Sequence, residues 1–215
     1  VQGAGGSLEI LESAATALVR VHMAATAQQP QGPALLCNVG RRRSEIVVVH
    51  GNGIVAHRNV NWGTNRLRRK LVENLELAGG DRDADFLLRN HGLADTEPSS
   101  PGDAPAPSSE APLGDSVAHL VASLVDAFVH ELHSVAGYVR SRVATVTFEG
   151  VFLYGDGASV CGLDRHVEEE LGIPTTSVDP FQGLGLSTTV PPPGVASNES
   201  YALALGLALR RYQWL

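Results

Sequence analysis

A chain of 215 residues with 43% hydrophobic residues is long enough to bury a substantial core, as one large domain or two small ones. Its net charge of −7 argues against a general nucleic-acid binder, which would show a basic footprint. The sequence shows no signal peptide and no apolar run approaching about 18 residues, which favours the cytoplasm. Its two cysteines, Cys37 and Cys161, lack metal-type spacing and are interpreted as buried thiols. Because the chain begins at Val1 rather than at Met, we expect a fragment of a longer protein.

The N-terminal part of the chain predicts a helix and three strands. Apolar residues recur at helical spacing over residues 7–26, with Ser7 placed to cap the helix. Three extended runs rich in aliphatic residues follow, at 34–39, 45–50 and 54–60. The last two flank Gly51-Asn52-Gly53, a strong hairpin signal. A helix is predicted next over 64–77, ended by Gly79 and Gly80, whereas residues 81–93 predict no definite element.

A proline- and serine-rich stretch separates this part from the rest. Residues 96–112 hold five prolines and four serines and no large apolar side chain, so they cannot bury a core. We expect a disordered surface insertion, placed at 95–114. Beyond it, Asp115 is expected to cap a long helix. The remaining elements are predicted at 151–154 (strand), 163–171 (helix, with Gly172 as C-cap), 175–178 (strand) and 200–212 (helix, with Asn198 as N-cap).

The order of these elements predicts an α/β fold with a mixed five-stranded sheet and helices on both faces. Three antiparallel strands followed by parallel strands through right-handed crossovers give the ribonuclease H-like topology. The predicted division of the chain is an interdomain helix (1–30), the first part of the ribonuclease H-like domain (31–94), the insertion (95–114) and the second part of the same domain (115–215).

Two turns supply the candidate site. The first predicted strand ends in Asn38, with Gly40 just beyond it, and the fourth ends in Gly155-Asp156-Gly157-Ala158. Ligands of open α/β sheets bind beyond the carboxyl ends of strands, so both turns are expected at one edge. Each signal has a plainer alternative. The two glycines of the second turn lack the third glycine of a dinucleotide fingerprint and can serve only a tight turn, and Asn38 can merely satisfy backbone groups.

Four segments together resemble the actin-like ATPase superfamily, and within it the second half of the type IV pilus assembly protein PilM family, a relative of FtsA. LLCNVGRRRSEIVVVHGNGIVAHRNVNWG is similar to the second phosphate-binding motif, and HELHSVAGYVRS to the helix that precedes the adenosine motif. VFLYGDGASVCGLDRHVEEELGIPTTSVDPFQGL resembles the adenosine motif and the Asn-Pro-Phe stretch after it. SYALALGLALRR resembles the C-terminal helix rich in alanine and glycine.

The resemblance implies a nucleotide site formed by Asn38, Gly40, Glu131 and residues 155–158, with ATP and Mg²⁺ as weakly held cofactors and no metal ligand assigned. The departures from the family bear on its chemistry. Asn38 stands where the family has an aspartate that helps to hold Mg²⁺ through water, and a neutral amide attracts a hard dication much less. Asp156 replaces a more usual glycine, so its carboxylate is expected to crowd or repel a phosphate. His133 replaces an arginine that often follows Glu131, which is expected to weaken contacts to the nucleoside.

The function implied is that of a cytoplasmic assembly or scaffold protein of a type IV pilus or type II secretion platform, with a degenerate ATPase. The partner implied is the cytoplasmic tail of a PilN-like inner-membrane protein, which would hold the chain at the membrane indirectly; self-association is left open. An active ATPase of the same fold and a small-molecule kinase of the same superfamily are the alternatives. A ribonuclease H-like nuclease is rejected, because Asn38 occupies the place of its first-strand carboxylate.

Two basic runs stand out from the acidic chain. They are Arg41–Arg43 and the group Arg66, Arg68, Arg69 and Lys70. We interpret both as solvated surface, with an acidic partner or a phosphate as the alternative.

Overall fold

A computed structural model describes residues 11–26, 32–51, 53–93, 111–142, 147–186 and 198–211. Its centre is a five-stranded sheet with the order β3-β2-β1-β4-β5. The strands are β1 (Ala34–Val39), β2 (Ser44–His50), β3 (Gly53–Val60), β4 (Gly150–Tyr154) and β5 (Thr175–Ser177). The first three pair in antiparallel fashion, whereas β4 runs parallel to β1 and β5 parallel to β4. The predicted mixed sheet and ribonuclease H-like topology are therefore confirmed.

Helices cover both faces of the sheet. They are α1 (Ala14–Thr26), α2 (Asn65–Leu75), α3 (Asp81–Asn90), α4 (Ala111–Arg142), α5 (Leu163–Leu171), α6 (Pro180–Gly183) and α7 (Ala202–Ala208). Side chains alternate between faces along a strand. In β1, Leu35 and Cys37 belong to the larger core with α2, α3, α4 and α5, whereas Leu36 faces α1 and α7. Among the described residues, no helix combines the length and apolarity needed to cross a membrane.

The hairpin and the helix α5 follow local sequence signals closely. β2 and β3 pair across Gly51, whose φ of 57° is the left-handed conformation that favours glycine, while Asn52 lies outside the described residues. The helix α5 has the predicted bounds and ends at Gly172, also left-handed with φ 63°.

Three helix starts or ends differ from the sequence predictions. Residues 11–13 are not helical, and Ser13 Oγ accepts a hydrogen bond from Thr16 N at 3.2 Å, so Ser13 caps α1; Ser7 lies outside the described residues. α2 ends at Leu75, before the two glycines, because Glu76 adopts a left-handed conformation with φ 48°. α4 begins at Ala111 rather than at Asp115, so the last four residues assigned to the insertion are helical; residues 94–110 lie outside the described residues.

Two further elements differ from the sequence predictions. Residues 81–93, which predicted no definite element, contain α3. The last predicted helix is a short α-helix, α7, between two 3₁₀ turns, and Asn198 does not cap it. Its side-chain amide instead donates to Asp179 Oδ2 at 2.9 Å. Asp179 in turn caps α6, because its Oδ1 accepts from Phe181 N at 2.8 Å. The proposed division of the chain into domain parts stays a prediction.

Candidate functional site

The two predicted turns meet at one edge of the sheet. β1 and β4 are parallel neighbours in which Asn38 is level with Tyr154, so Asn38 and Gly155 lie side by side where the strands end. A Cβ placed on Gly155 would lie only 2.6 Å from Asn38 Oδ1, which shows how closely the second turn approaches the first strand.

Steric crowding accounts for both glycines of the second turn. Gly155 has φ 82° and a Cβ there would also lie 2.7 Å from Val39 O. A Cβ on Gly157 would lie 2.1 Å from Val39 Cγ1. Any larger residue would push the turn off the end of β1. The turn continues as a 3₁₀ helix, Asp156–Ser159, that includes Ala158. The plainer interpretation of these glycines, a tight strand-to-helix turn, therefore has a direct structural basis beside the ligand interpretation.

The turn between β1 and β2 rests on the start of α2. Gly40 N donates to Arg43 O at 3.1 Å, which closes the turn, while Gly40 O accepts from Thr64 N at 3.1 Å. Arg41 O accepts from Asn65 N at 2.8 Å. Main-chain hydrogen bonds thus fix the β1–β2 turn against α2, and Gly40 is part of that framework.

Asp156 points into the protein and joins a buried cluster of charges. Its side chain is 6% exposed, and its Oδ2 accepts hydrogen bonds from the Thr64 hydroxyl and the Arg68 guanidinium. Arg68 also donates to Asp85 on α3. Arg41 lies across the opening of the cluster, with Nη2 3.3 Å from Asp85 Oδ2 and Nε 3.7 Å from Asp156 Oδ1. This cluster connects the β1–β2 turn, α2, α3 and the turn after β4.

The electrostatics of the cluster favour the charged forms. Burial by itself would raise the pKa of Asp156, but hydrogen bonds from Thr64 and Arg68 and the charges of Arg68 and Arg41 outweigh it, so the pKa is lowered. Burial would likewise lower the pKa of Arg68, but its bonds to Asp156 and Asp85 raise it overall. The carboxylate of Asp156 is thus engaged inside the protein. The sequence had suggested that this carboxylate would crowd or repel a phosphate, whereas in the structure it points away from the turn into the protein.

Glu131 lies elsewhere. Its Oε2 contacts Arg58 Nη2 of β3 at 2.6 Å, an ion pair without hydrogen-bond alignment. β3 is separated from β4 by two strands, so the structure engages this carboxylate away from residues 155–158. His133, two residues after Glu131 on α4, has Nε2 3.0 Å from Glu170 O of α5. The structure therefore brings Asn38, Gly40 and the turn 155–158 together but gives Glu131 a different partner.

The members of the cluster that sequence reasoning missed are Thr64, Arg68 and Asp85. Arg68 had been grouped with surface charges, and among its group only this side chain is buried; Arg66, Arg69 and Lys70 are exposed, as are Arg41–Arg43. A weak signal existed. Arg68 follows Leu67 and lies three residues before Leu71, at the margin of the apolar stripe of α2. Asp85 gave no signal, because its helix was not predicted.

The residues at this edge do not fit a directly held Mg²⁺. The dication prefers carboxylate and water oxygens, but Asn38 offers a neutral amide, and both nearby carboxylates are engaged by arginine. Within the described ranges, no group of three or more His, Cys, Asp or Glu side chains could hold a metal ion.

This sheet, with its helices and paired turns, has the fold of an actin-like ATPase half-domain. A PilM–PilN type IV pilus biogenesis complex contains a similar chain, with a TM-score of 0.70 and 19% identity over 99% of this chain and 56% of that one. The ethanolamine utilization protein EutJ of Carboxydothermus hydrogenoformans has a TM-score of 0.60 and 14% identity over 97% of this chain and 57% of that one. MreB5 of Spiroplasma citri bound to ADP has a TM-score of 0.58 and 15% identity over 97% of this chain and 61% of that one.

The family model described as type IV pilus assembly protein PilM matches residues 116–212. The predicted resemblance to the second half of a PilM-type protein is therefore confirmed. The chain spans somewhat more than half the length of these solved structures. No curated protein matches it significantly.

Proposed function

We propose that this chain is half of an actin-like, PilM-type assembly protein of a type IV pilus or type II secretion platform. The observation that carries the proposal is the PilM family match at residues 116–212, which runs from α4 through the turn after β4 to α7. The similarity in fold to the PilM–PilN complex over 99% of the chain supports it.

We propose further that a nucleotide binds weakly at the edge formed by Asn38, Gly40 and residues 155–158, and that hydrolysis is impaired. The position of the edge beyond two parallel strand ends supports binding. The neutral amide of Asn38 supports impaired hydrolysis, because a Mg²⁺ ion beside the phosphates neutralises the charge that develops in phosphoryl transfer. Glu131 is the weakest member of the proposed site, since it pairs with Arg58.

Nucleotide titration of the full-length protein tests this site. Asn38→Asp restores a carboxylate, and we expect Mg-ATP affinity to rise about tenfold, or ~1.4 kcal/mol. Asn74→Asp, the same chemical change at an exposed position of α2, is the control and should leave affinity unchanged. No gain in Asn38→Asp would mean that the site is empty or built differently. Turnover by the unaltered protein at the rate of an intact actin-like ATPase would refute impaired hydrolysis.

The proposed partner is the cytoplasmic tail of a PilN-like inner-membrane protein. Such a tail would place the protein in the cytoplasm and hold it at the membrane surface through the partner. The resemblance implies that the tail docks mainly on the first half, so calorimetry should use the full-length protein, with the tail peptide and a scrambled peptide as control. Binding of neither peptide would refute the assembly role. Thermal stabilisation by a sugar or a short carboxylate would instead favour a small-molecule kinase.

A further inference from the structure

Basic residues are concentrated in one stretch of an otherwise acidic chain. Seven of the sixteen lysine and arginine residues belong to the two runs within residues 41–70, although the chain carries a net charge of −7. Two of the seven, Arg41 and Arg68, contact Asp85 and Asp156. The other five are exposed and are called the basic strip: Arg42, Arg43, Arg66, Arg69 and Lys70.

The two segments that carry the basic strip are held against each other. Arg66, Arg69 and Lys70 follow one another at i, i+3 and i+4 and therefore share a face of α2. The turn that holds Arg42 and Arg43 is bonded to the first residues of that helix, through Asn65 N to Arg41 O at 2.8 Å. The backbones are in close contact, because a Cβ on Gly63 would lie 2.5 Å from Arg41 O. The five charges are thus presented together on a fixed framework.

Within the described part of the chain, the basic strip forms no ion pair. Across the part of the chain that the structure describes, none of its five residues forms an ion pair with a carboxylate, and Arg66 donates to the main-chain oxygen of Asn61 at 2.7 Å. Arg66 lies in the first turn of α2, which holds no acidic residue. A cation there opposes the helix dipole and is unfavourable. Like charges at i, i+4, such as Arg66 and Lys70, repel each other. An unfavourable arrangement of this kind is relieved when an anion binds.

The surroundings of the strip indicate which kind of anion fits. No large hydrophobic side chain is exposed within 41–43 or 61–75, so there is no anchor for insertion among lipid chains. The one aromatic residue there, Trp62, is buried and stacked on Phe128 at 4.7 Å, so no ring is offered to a nucleic-acid base. Four of the five cations are arginines, whose planar guanidinium groups match carboxylates and phosphates in bidentate geometry.

We infer that the basic strip is a docking surface for an acidic segment of a partner protein, rich in glutamate or aspartate. The contact would be carried by arginine–carboxylate pairs at the exposed end of the β1–β2 turn and along α2. It adjoins the proposed nucleotide site, since Gly40 N donates to Arg43 O at 3.1 Å, but it requires neither Asn38 nor the turn after β4.

Fluorescence anisotropy with a labelled oligoglutamate peptide tests this surface on the full-length protein. The double variant Arg42→Glu and Arg69→Glu should weaken binding by about tenfold or more, since each reversed pair turns attraction into repulsion. The matched control is Arg89→Glu and Arg165→Glu, which changes the net charge equally at exposed positions of α3 and α5. It should stay within about twofold of the unaltered protein. Circular dichroism melts check that both double variants fold. If Arg42→Glu with Arg69→Glu does not fold, the double variant Arg43→Gln with Lys70→Gln takes its place.

Each other outcome overturns the inference. Equal losses in the two double variants would show a general effect of net charge. Equal binding of an oligoglutamine peptide would show that carboxylates are not recognised. Strip-dependent binding of phosphatidylserine vesicles or of single-stranded DNA, without strip-dependent peptide binding, would assign the surface to a membrane or a nucleic acid instead.

Discussion

Removal of Arg68 should destabilise the protein far more than removal of its exposed neighbour Arg69 on α2. The side chains of Arg68 and Asp156 are 4% and 6% exposed, and Arg68 also holds Asp85 and the Thr64 hydroxyl. Arg68→Met keeps most of the aliphatic stem but leaves Asp156 buried without its cation. Breaking a buried pair on one side costs about 3–5 kcal/mol. Since domains of this size are stable by roughly 5–15 kcal/mol, a large share of the stability would be lost.

Urea unfolding measures the loss, and a double-mutant cycle assigns it. The double variant Arg68→Met and Asp156→Asn should lose much less free energy of unfolding than the two single variants lose in sum. The reason is that the double variant no longer holds an uncompensated buried charge. Arg69→Met is the control, and as an exposed substitution it should change the free energy of unfolding by less than about 0.5 kcal/mol. A loss below ~1 kcal/mol for Arg68→Met, or additive effects of the two changes, would refute the buried cluster.

The pH dependence gives the same pair an independent signature. The folded-state pKa of Asp156 is lowered, so its contribution to stability is present above its unfolded value of 3.8 and is lost as the pH falls through the folded value. Arg68→Met removes two of the causes that lower this pKa, while burial still raises it. The difference in stability between the unaltered protein and Arg68→Met should therefore narrow as the pH falls below 3.8. A difference that stays constant with pH would contradict this assignment.

Two further predictions concern the layer between the sheet and α1. Gly206→Ala should destabilise the protein by about 2 kcal/mol or more, because its Cβ would lie 2.0 Å from Ala17 O. The control is Gly137→Ala on α4, whose Cβ meets nothing within 4 Å and which should stabilise the protein by about 0.5–1 kcal/mol. Equal thermal shifts in both variants would contradict the close contact of α1 and α7. His22 is bonded to the Tyr154 hydroxyl at 2.8 Å, and burial lowers the pKa of His22 from 6.5 to about 4. Its neutral form therefore stabilises the fold fully above pH 6.5, and up to ~3 kcal/mol is lost as the pH falls from 6.5 to about 4. His22→Gln should flatten the profile of unfolding free energy against pH, while exposed His119→Gln should not.

Local sequence signals were sufficient for the framework of the sheet. The hairpin at Gly51, the continuous apolar run of β1 and the helix ended by Gly172 each depend on neighbouring residues, so their patterns can be read without knowing the rest of the chain. The order of these elements then restricts the topology to very few choices, which is why the mixed sheet was predictable. The adjacency of Asn38 and Gly155 follows from that topology alone.

The direction of individual charged side chains was decided only by the tertiary structure. Arg68, Asp85 and Asp156 are far apart in sequence, and no local pattern indicates that burial would bring them into one cluster. The same holds for Glu131, which the resemblance placed at the nucleotide and the fold pairs with Arg58. A buried charge is stable only where a partner from another element compensates its lost hydration. The sequence by itself therefore determined where this protein has its candidate site, and packing decided which charges face it.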